Sequence, residues 1–312
     1  MRKPFFLTLA GGLLLAGCGD KSPRSAVAKE PESSEQASVA VAGPEVTPVA
    51  DSSTPTPTVT GPVTFDQANS AFREKQYEDA VQLFTAYTER RPENAWGFYM
   101  LGLSAWKAGA RPRAEAAFKH ALEIDSTHVK SYLNLSRVLL ESGRPDEALE
   151  YLGTVLTIDS TLGAGYRLLG RAHDARGEID QAIVANRRAI VLDTTDVWAM
   201  NNLGLILIRQ GEFEEALKPL ARATELSPMV AVFQNNLGMA LERTGHFTAA
   251  AEAYRAATAA DSGAEKAAAN LARVSSLTEE PGLAPVDIKA LSESFGQDVA
   301  KWREEVPATG DR

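Results

Sequence analysis

Cysteine is almost absent from this chain of 312 residues, which contains only Cys18. A single cysteine excludes a disulfide bond within the chain. The four histidines, His120, His128, His173 and His246, are scattered and lack the spacing of metal ligands. The sequence also lacks a nucleophile elbow and a glycine loop of the kind that cradles phosphates. We therefore expect no enzymatic activity, no metal and no other cofactor.

An excess of positive charge is also absent. The chain has 32 lysines and arginines against 41 aspartates and glutamates, for a formal net charge of −9. An acidic protein is repelled by nucleic acid and by anionic membrane surfaces, so we expect neither as a non-specific partner. Aromatic residues are sparse at 7%, but a hydrophobic fraction of 44% is typical of a folded protein.

The first 17 residues have the features of a signal peptide. A short basic head precedes an apolar run from Phe5 to Leu15, which is too short to cross a bilayer. The string LAGC at 15–18 then resembles the lipobox of bacterial lipoproteins. The resemblance implies that Cys18 becomes the lipidated N-terminus and that the lipid alone attaches the protein to the membrane. The alternative is an ordinary secretory signal followed by a chance cysteine.

Residues 18–60 are rich in serine, threonine, proline, alanine and valine and have few large apolar side chains. Such a segment buries too little surface to offset the entropy of ordering, which predicts a disordered tether. In enteric-type sorting, an aspartate directly after the lipidated cysteine retains a lipoprotein in the inner membrane. Here Gly19 follows Cys18 and Asp20 comes one place later. This order favours the periplasmic face of the outer membrane in a Gram-negative host.

A 34-residue unit recurs from residue 61 to residue 264 without insertion or deletion. The six units are 61–94, 95–128, 129–162, 163–196, 197–230 and 231–264. The twentieth position of every unit is alanine: Ala80, Ala114, Ala148, Ala182, Ala216 and Ala250. The eighth position is always small: Ala68, Gly102, Ser136, Gly170, Gly204 and Gly238. The fifteenth is glycine in five units (Gly109, Gly143, Gly177, Gly211 and Gly245) and Lys75 in the first.

These regularities predict stacked helical hairpins. Two helices approach closely only where side chains are small, so the eighth and twentieth positions mark the crossing within each hairpin. The glycine ends the first helix, because it adopts a left-handed backbone conformation without a steric penalty. Large apolar residues such as Leu203 at the seventh position form a face that one hairpin cannot bury alone. Neighbouring units bury this face, which explains why the unit is repeated.

The spacing of small residue, glycine, alanine and aromatic residue at a period of 34 resembles that of tetratricopeptide repeats. The resemblance implies an all-α right-handed superhelix of six helical hairpins, with the first helix of each hairpin lining a concave groove. Residues 265–277 match a further first helix and are expected to cap the array. Residues 278–312 are predicted to form a turn and an amphipathic helix. We expect this helix to dock onto the array; the alternative is that it binds a partner.

In this repeat family the second, fifth, sixth, ninth and thirteenth positions of the first helix tend to face the groove. Here they form a basic, amide-rich stripe: Lys130, Asn134, Arg137, Arg167, Arg171, Asn201, Asn202, Arg209, Asn235, Asn236, Arg243, Lys266, Asn270 and Arg273. Asparagine both donates and accepts hydrogen bonds, so a ladder of asparagines is suited to the backbone of an extended peptide. The arginines are suited to bidentate contacts with carboxylates. Alternatively, these side chains bond to the neighbouring protein or to solvent.

Trp96, Tyr99 and Trp106 lie at helical spacing and are expected to share one face of a helix. They form a candidate aromatic shelf for an apolar peptide side chain or a sugar ring. The alternative is that they pack between hairpins. Trp198 occupies the same groove-facing second position as Trp96, and the sequence leaves its role open.

Together these features predict a non-enzymatic scaffold, anchored in the bacterial cell envelope, that binds protein or peptide partners in a concave groove. Six repeats behind a lipobox are similar to the lipoproteins that assemble type IV pili and related secretion channels. The alternative function is binding of glycan or peptidoglycan fragments, or a role as an adaptor for peptidoglycan hydrolases.

Overall fold

We analysed a computed structural model that describes residues 62–305, which form fourteen helices and no strand. The helices are α1 (Phe65–Arg73), α2 (Tyr77–Arg90), α3 (Ala95–Lys107), α4 (Arg111–Ile124), α5 (Val129–Glu141), α6 (Pro145–Ile158), α7 (Gly163–Ala175), α8 (Ile179–Leu192), α9 (Val197–Gln210), α10 (Phe213–Leu226), α11 (Ala231–Arg243), α12 (Phe247–Ala260), α13 (Glu265–Val274) and α14 (Ile288–Glu305). The all-helical fold expected from the sequence is confirmed.

The predicted signal peptide at 1–17, the predicted lipidation site Cys18 and the predicted tether at 18–60 lie outside the described residues. Across residues 62–305, none of the helices combines the length and the apolar character needed to span a bilayer.

Consecutive helices form six hairpins, α1–α2 to α11–α12, and each hairpin closes where the sequence carries small residues. In the hairpin α9–α10, Ala216 is fully buried, and a Cβ atom added to Gly204 would lie 2.7 Å from Leu220 Cδ2. The missing side chain at the eighth position therefore allows the second helix to press a large apolar residue against the first helix.

The turn inside a hairpin requires a left-handed backbone. Gly211 ends α9 with φ 80°, and the fifteenth residue of the other units also has positive φ. In the first unit this residue is Lys75, with φ 63°, the only non-glycine residue of the described chain with positive φ. The first hairpin thus has the same left-handed turn as the others, but it lacks the glycine that adopts this conformation without strain.

Curvature of the stack separates the two sets of helices. Each first helix packs against the first helix of the next unit, whereas within residues 62–305 the backbones of adjacent second helices lie farther apart. The first helices are therefore closer together and line the concave side, and the second helices lie on the convex side. This arrangement places the candidate partner-binding residues along one groove.

The two helices after the repeats close the array. Helix α13 packs on α11 and α12 as a capping helix. Helix α14 turns back onto α10 and α8, where it buries Phe295 and Val299. Near the C-terminal end of α14, the guanidinium carbon of Arg187 on α8 lies 4.8 Å from the centre of the Trp302 ring. In the structure, then, α14 is docked on the second helices and leaves the groove open.

Candidate functional site

Polar side chains on the floor of the groove join neighbouring first helices at a regular spacing. Five hydrogen-bonded pairs are separated by 35 residues, one more than the repeat: Tyr99–Asn134, Trp106–Glu141, Asp174–Arg209, Asn201–Asn236 and Asn235–Asn270. Each pair connects the fifth position to the sixth of the next unit, or the twelfth to the thirteenth. Stacking brings these positions together, so the bonds stabilise the contact between units.

Asparagines of the predicted ladder therefore bond largely to one another. Asn236 Nδ2 donates to Asn201 Oδ1 at 2.8 Å, and Asn270 Nδ2 donates to Asn235 Oδ1 at 3.1 Å. Asn134 Nδ2 donates to the Tyr99 hydroxyl at 3.4 Å. These amides have part of their hydrogen-bonding capacity committed before any partner arrives.

Most of the predicted cationic residues also contact the array itself. Arg167 Nε lies 2.8 Å from Asp196 Oδ2, and Arg209 pairs with Asp174. Arg273 bonds to Asn270 and Glu242. Two further cations lie over aromatic rings: Lys130 Nζ is 4.9 Å from the centre of Trp96, and the guanidinium carbon of Arg243 is 4.4 Å from that of Phe213.

Among the described residues, Arg171 on α7 and the solvent-exposed Lys266 on α13 lack such contacts, and Arg137 on α5 and Asn202 on α9 form few of them. Within residues 62–305, Arg171 forms no ion pair or side-chain hydrogen bond, and the Asn202 amide forms no side-chain hydrogen bond. Arg137 donates to Asn134 Oδ1 at 2.9 Å and lies over the Trp106 ring, but it contacts no carboxylate of the described chain. Between α5 and α9, the groove therefore keeps two cations without a carboxylate partner and one amide available.

The two arginines lie in an unfavourable electrostatic environment. Burial lowers the pKa of Arg171, and the charge of Arg167 lowers it further, while Glu141 and Asp174 act in the opposite direction. Burial likewise lowers the pKa of Arg137, followed by the charges of Arg167 and Arg171, while Glu141 and Tyr99 act in the opposite direction. A half-buried cation beside other cations is costly unless an anion neutralises it. The arrangement therefore favours an anionic group between α5 and α7.

The aromatic residues of α3 do not form a continuous open surface. Trp96 is 41% exposed, whereas Tyr99 and Trp106 are only 8% and 6% exposed. The Trp106 ring contacts Lys107 Nζ at 4.6 Å and the guanidinium carbon of Arg137 at 5.3 Å, and its Nε1 donates to Glu141. Tyr99 and Trp106 thus pack within the array, and Trp96 alone presents a ring to a ligand.

Trp198, which the sequence left open, belongs to the packing. Its ring meets the buried Phe233 edge to face, with the ring centres 4.8 Å apart. In the part of the chain that the structure covers, no three or more His, Cys, Asp or Glu side chains cluster in a way that would hold a metal ion.

Sequence reasoning missed the pairing between units, although a signal was present. A repeat of 34 brings residues 34 apart to equivalent places, and the slight offset between neighbouring helices pairs residues 35 apart. A search for complementary polar residues at that separation would have found the pairs Asn201–Asn236 and Asn235–Asn270. The isolation of Arg171 follows from the absence of such a partner.

Comparison with known families identifies the repeat. A model of the tetratricopeptide repeat matches residues 65–129 and 201–265, and a second tetratricopeptide-repeat model matches residues 105–172. Together the two models cover more than half of the chain. No curated protein matches the sequence.

Solved structures share the fold at low sequence identity. PilW, described as a widely conserved type IV pilus biogenesis factor, aligns with a TM-score of 0.59 and 17% identity, over 68% of this chain and 96% of its own. TTC0263, a thermophilic TPR protein of Thermus thermophilus, aligns with a TM-score of 0.52 and 20% identity, over 59% and 100%. The Cut9–Hcn1 structure of the APC/C aligns with 0.56 and 17%, over 76% and 54%. At these identities the likeness concerns the fold alone.

Proposed function

Because this chain belongs to the tetratricopeptide-repeat family, we propose that it is a non-enzymatic scaffold whose groove binds an acidic segment of a protein or peptide partner. The family supports a role in protein interaction. The acidic character of the partner is inferred from Arg137 and Arg171, two half-buried cations without a carboxylate partner in the described chain.

The geometry favours an extended segment that runs across the first helices. Arg137 and Arg171 occupy the ninth position of adjacent units, so they lie on equivalent turns of α5 and α7. Carboxylates of aspartate, glutamate or a chain terminus accept bidentate hydrogen bonds from guanidinium groups. Asn202, on the next first helix, supplies an amide for a backbone group of the same segment.

A peptide panel with matched variants tests this proposal. We expect acidic extended peptides to bind more tightly than neutral or basic peptides, and Arg171→Ala to weaken that binding about tenfold or more, since a hydrogen bond to a charged group contributes about 1.5–3 kcal/mol. Arg255→Ala is the control, because it removes one positive charge from an exposed site on the second helix α12.

Fluorescence anisotropy at two salt concentrations would report both affinity and charge dependence. Equal loss of affinity in the Arg171→Ala and Arg255→Ala variants would mean that only overall charge matters, and would contradict a groove site. Binding of neutral and acidic peptides with the same affinity would contradict the proposed partner chemistry.

We further propose that the scaffold is attached to the cell envelope by lipid on Cys18, at the periplasmic face of the outer membrane in a Gram-negative host, where it takes part in the assembly of a pilus, secretion or other envelope complex. The support is the signal-like residues 1–17, the lipobox-like string at 15–18 and the tether-like segment 18–60. PilW, a type IV pilus biogenesis factor, shares the fold of the array.

Cys18→Ala tests the anchor. We expect the variant to move from the membrane fraction to the soluble fraction, and mass spectrometry of the unaltered protein to find an acylated N-terminal Cys18. Membrane retention of the variant would contradict the lipid anchor without affecting the groove proposal, which rests on other residues.

The second candidate function, binding of glycan or peptidoglycan fragments, rests on one exposed ring. Trp96 is open to solvent, but Tyr99 and Trp106 are buried and so do not extend the surface. Titration of Trp96 fluorescence with peptidoglycan fragments, with Trp96→Ala as the control, separates the two functions. Saccharide binding that is lost in Trp96→Ala and unchanged in Arg171→Ala would favour the glycan function.

A further inference from the structure

The fourth unit departs from the other five at one buried position beneath the groove. The twenty-fourth residue of the unit is a fully buried apolar or aromatic side chain in five units: Phe84, Phe118, Leu152, Leu220 and Tyr254. In the fourth unit it is Asn186, which is also fully buried. At the twenty-fourth position, an amide thus replaces the apolar or aromatic residue in the fourth unit alone.

The Asn186 amide is only partly satisfied. Its Nδ2 donates to the backbone oxygen of Ala182 at 2.8 Å, which sets the orientation of the amide. Its Oδ1 is the one buried side-chain nitrogen or oxygen of the described chain without a hydrogen-bond partner. Leaving such an acceptor unpaired costs about 1–3 kcal/mol, so the site is expected to receive a donor.

A small cavity adjoins this amide, and we call it the Asn186 notch. It is lined by Asn186, Gly170, Arg171, Asp174, Asn202 and Arg209, with an aliphatic wall from α9. Gly170 lies directly above the amide, since a Cβ atom there would fall 2.8 Å from Asn186 Cγ. Gly170 makes room for the residue at the twenty-fourth position, as the eighth-position glycines of the second, fifth and sixth units do, and here that residue is a buried amide at the edge of the cavity.

The size and polarity of the notch limit what it accepts. Its volume of about 10 Å³ has room for the centre of one water-sized group. The group must donate a hydrogen bond to Asn186 Oδ1. Arg171 and Arg209 disfavour a cationic donor, because both line the same cavity. A neutral hydroxyl meets these requirements, and the unpaired Arg171 beside it calls for a carboxylate.

We propose that the Asn186 notch receives the hydroxyl of a serine or threonine side chain that lies next to the carboxylate bound by Arg171. The inference rests on the proposed binding of an acidic segment in the groove. It adds a sequence preference to that segment, namely a hydroxyl residue beside an acidic group. The residue that reads this preference is Asn186 on the second helix α8, beneath the groove surface.

The test is a positional scan with N-acetylated hexapeptides of glutamate that carry a free carboxyl terminus. Each position in turn is replaced by serine, threonine, alanine or valine, and affinity is measured by competition in fluorescence anisotropy. At one position we expect serine or threonine to bind about three- to tenfold more tightly than alanine or valine, as one net hydrogen bond allows.

Asn186→Leu is the decisive variant, because the third and fifth units carry leucine at the same position. It is expected to fold, to bind the alanine peptides as before and to lose the preference for the hydroxyl. Asn186→Ala serves as a second variant that also removes the acceptor, should the leucine side chain disturb the hairpin. Arg171→Ala is expected to weaken all peptides alike.

The outcomes separate the inference from the proposed function. Acidic peptides that bind through Arg171 with no hydroxyl preference at any position would overturn the notch and leave the groove proposal standing. A hydroxyl preference that persists in both Asn186 variants would also overturn it, as would a crystal structure of the complex in which water alone occupies the notch. Failure of every acidic peptide to bind would overturn both.

Discussion

Asn236 and Asn201 form a buried hydrogen bond of 2.8 Å that joins α11 to α9 through positions 35 residues apart. Both side chains are almost inaccessible, at 4% and 3% exposure. The bond therefore lies inside the contact between the fifth and sixth units, where water cannot readily replace a lost partner. It shows how a side chain assigned to the groove by its position can serve the stack instead.

Removing one member of this pair is expected to destabilise the array. Asn236→Ala leaves Asn201 Oδ1 without its donor, which should lower the free energy of unfolding by about 1–3 kcal/mol. Urea denaturation followed by circular dichroism measures the change. The double variant Asn201→Leu/Asn236→Leu removes both polar groups and should cost less than the single change. A double variant that is as unstable as the single one would contradict a role for the unpaired amide.

Two glycine substitutions are expected to have opposite signs. Gly204→Ala places a Cβ atom 2.7 Å from Leu220 Cδ2, so the hairpin must open, at a cost of about 1–3 kcal/mol. Gly153→Ala, in the middle of α6, meets no atom within 4 Å and should stabilise the helix by up to about 1 kcal/mol. Thermal denaturation of the two variants compares them directly, and a shift of both in the same direction would contradict the packing argument.

Lys75→Gly is expected to stabilise the first hairpin. Lys75 has φ 63°, where an L-residue is strained and glycine is not. Relief of the strain should outweigh the added flexibility of the unfolded chain and raise the free energy of unfolding by about 0.5–1 kcal/mol. Gln76→Gly, at the next residue with φ −81°, is the control and should not stabilise. Equal effects of the two changes in urea denaturation would argue against strain at Lys75.

His128 is expected to make the stability of the array depend on pH. Burial lowers the pKa of His128, the charge of Lys130 lowers it further, and that of Asp125 opposes them. The neutral Nδ1 also accepts a hydrogen bond of 3.2 Å from the Ser131 amide at the start of α5, which protonation would remove. Because the folded state binds the proton less readily, stability is complete above the unfolded pKa of about 6.5 and decreases as the pH falls below it.

Urea denaturation at about pH 7 and about pH 5 tests this dependence, a range that brackets the ordinary histidine pKa. His128→Asn keeps a side-chain acceptor at the N-cap but does not titrate in this range, so it should lose less stability than the unaltered protein. An identical loss in both proteins would assign the pH dependence to other groups.

The sequence by itself determined the repeating architecture. The period of 34, the small eighth position, the alanine at the twentieth and the glycine at the fifteenth specify stacked hairpins of fixed length, because each reflects a local requirement of helix crossing or turn formation. The same positions assigned Leu203, Gly204 and Ala216 to packing, and the structure buries all three.

Only the tertiary structure decided which polar residues of the groove are available. The sequence assigned both Arg171 and Arg209 to the groove, but stacking brings Asp174 to Arg209 and brings no carboxylate of the described chain into contact with Arg171. The structure also buries Trp106, leaves Trp96 exposed and docks α14 on α8 and α10. These outcomes depend on contacts between side chains 35 or more residues apart, which the local pattern of one unit does not encode.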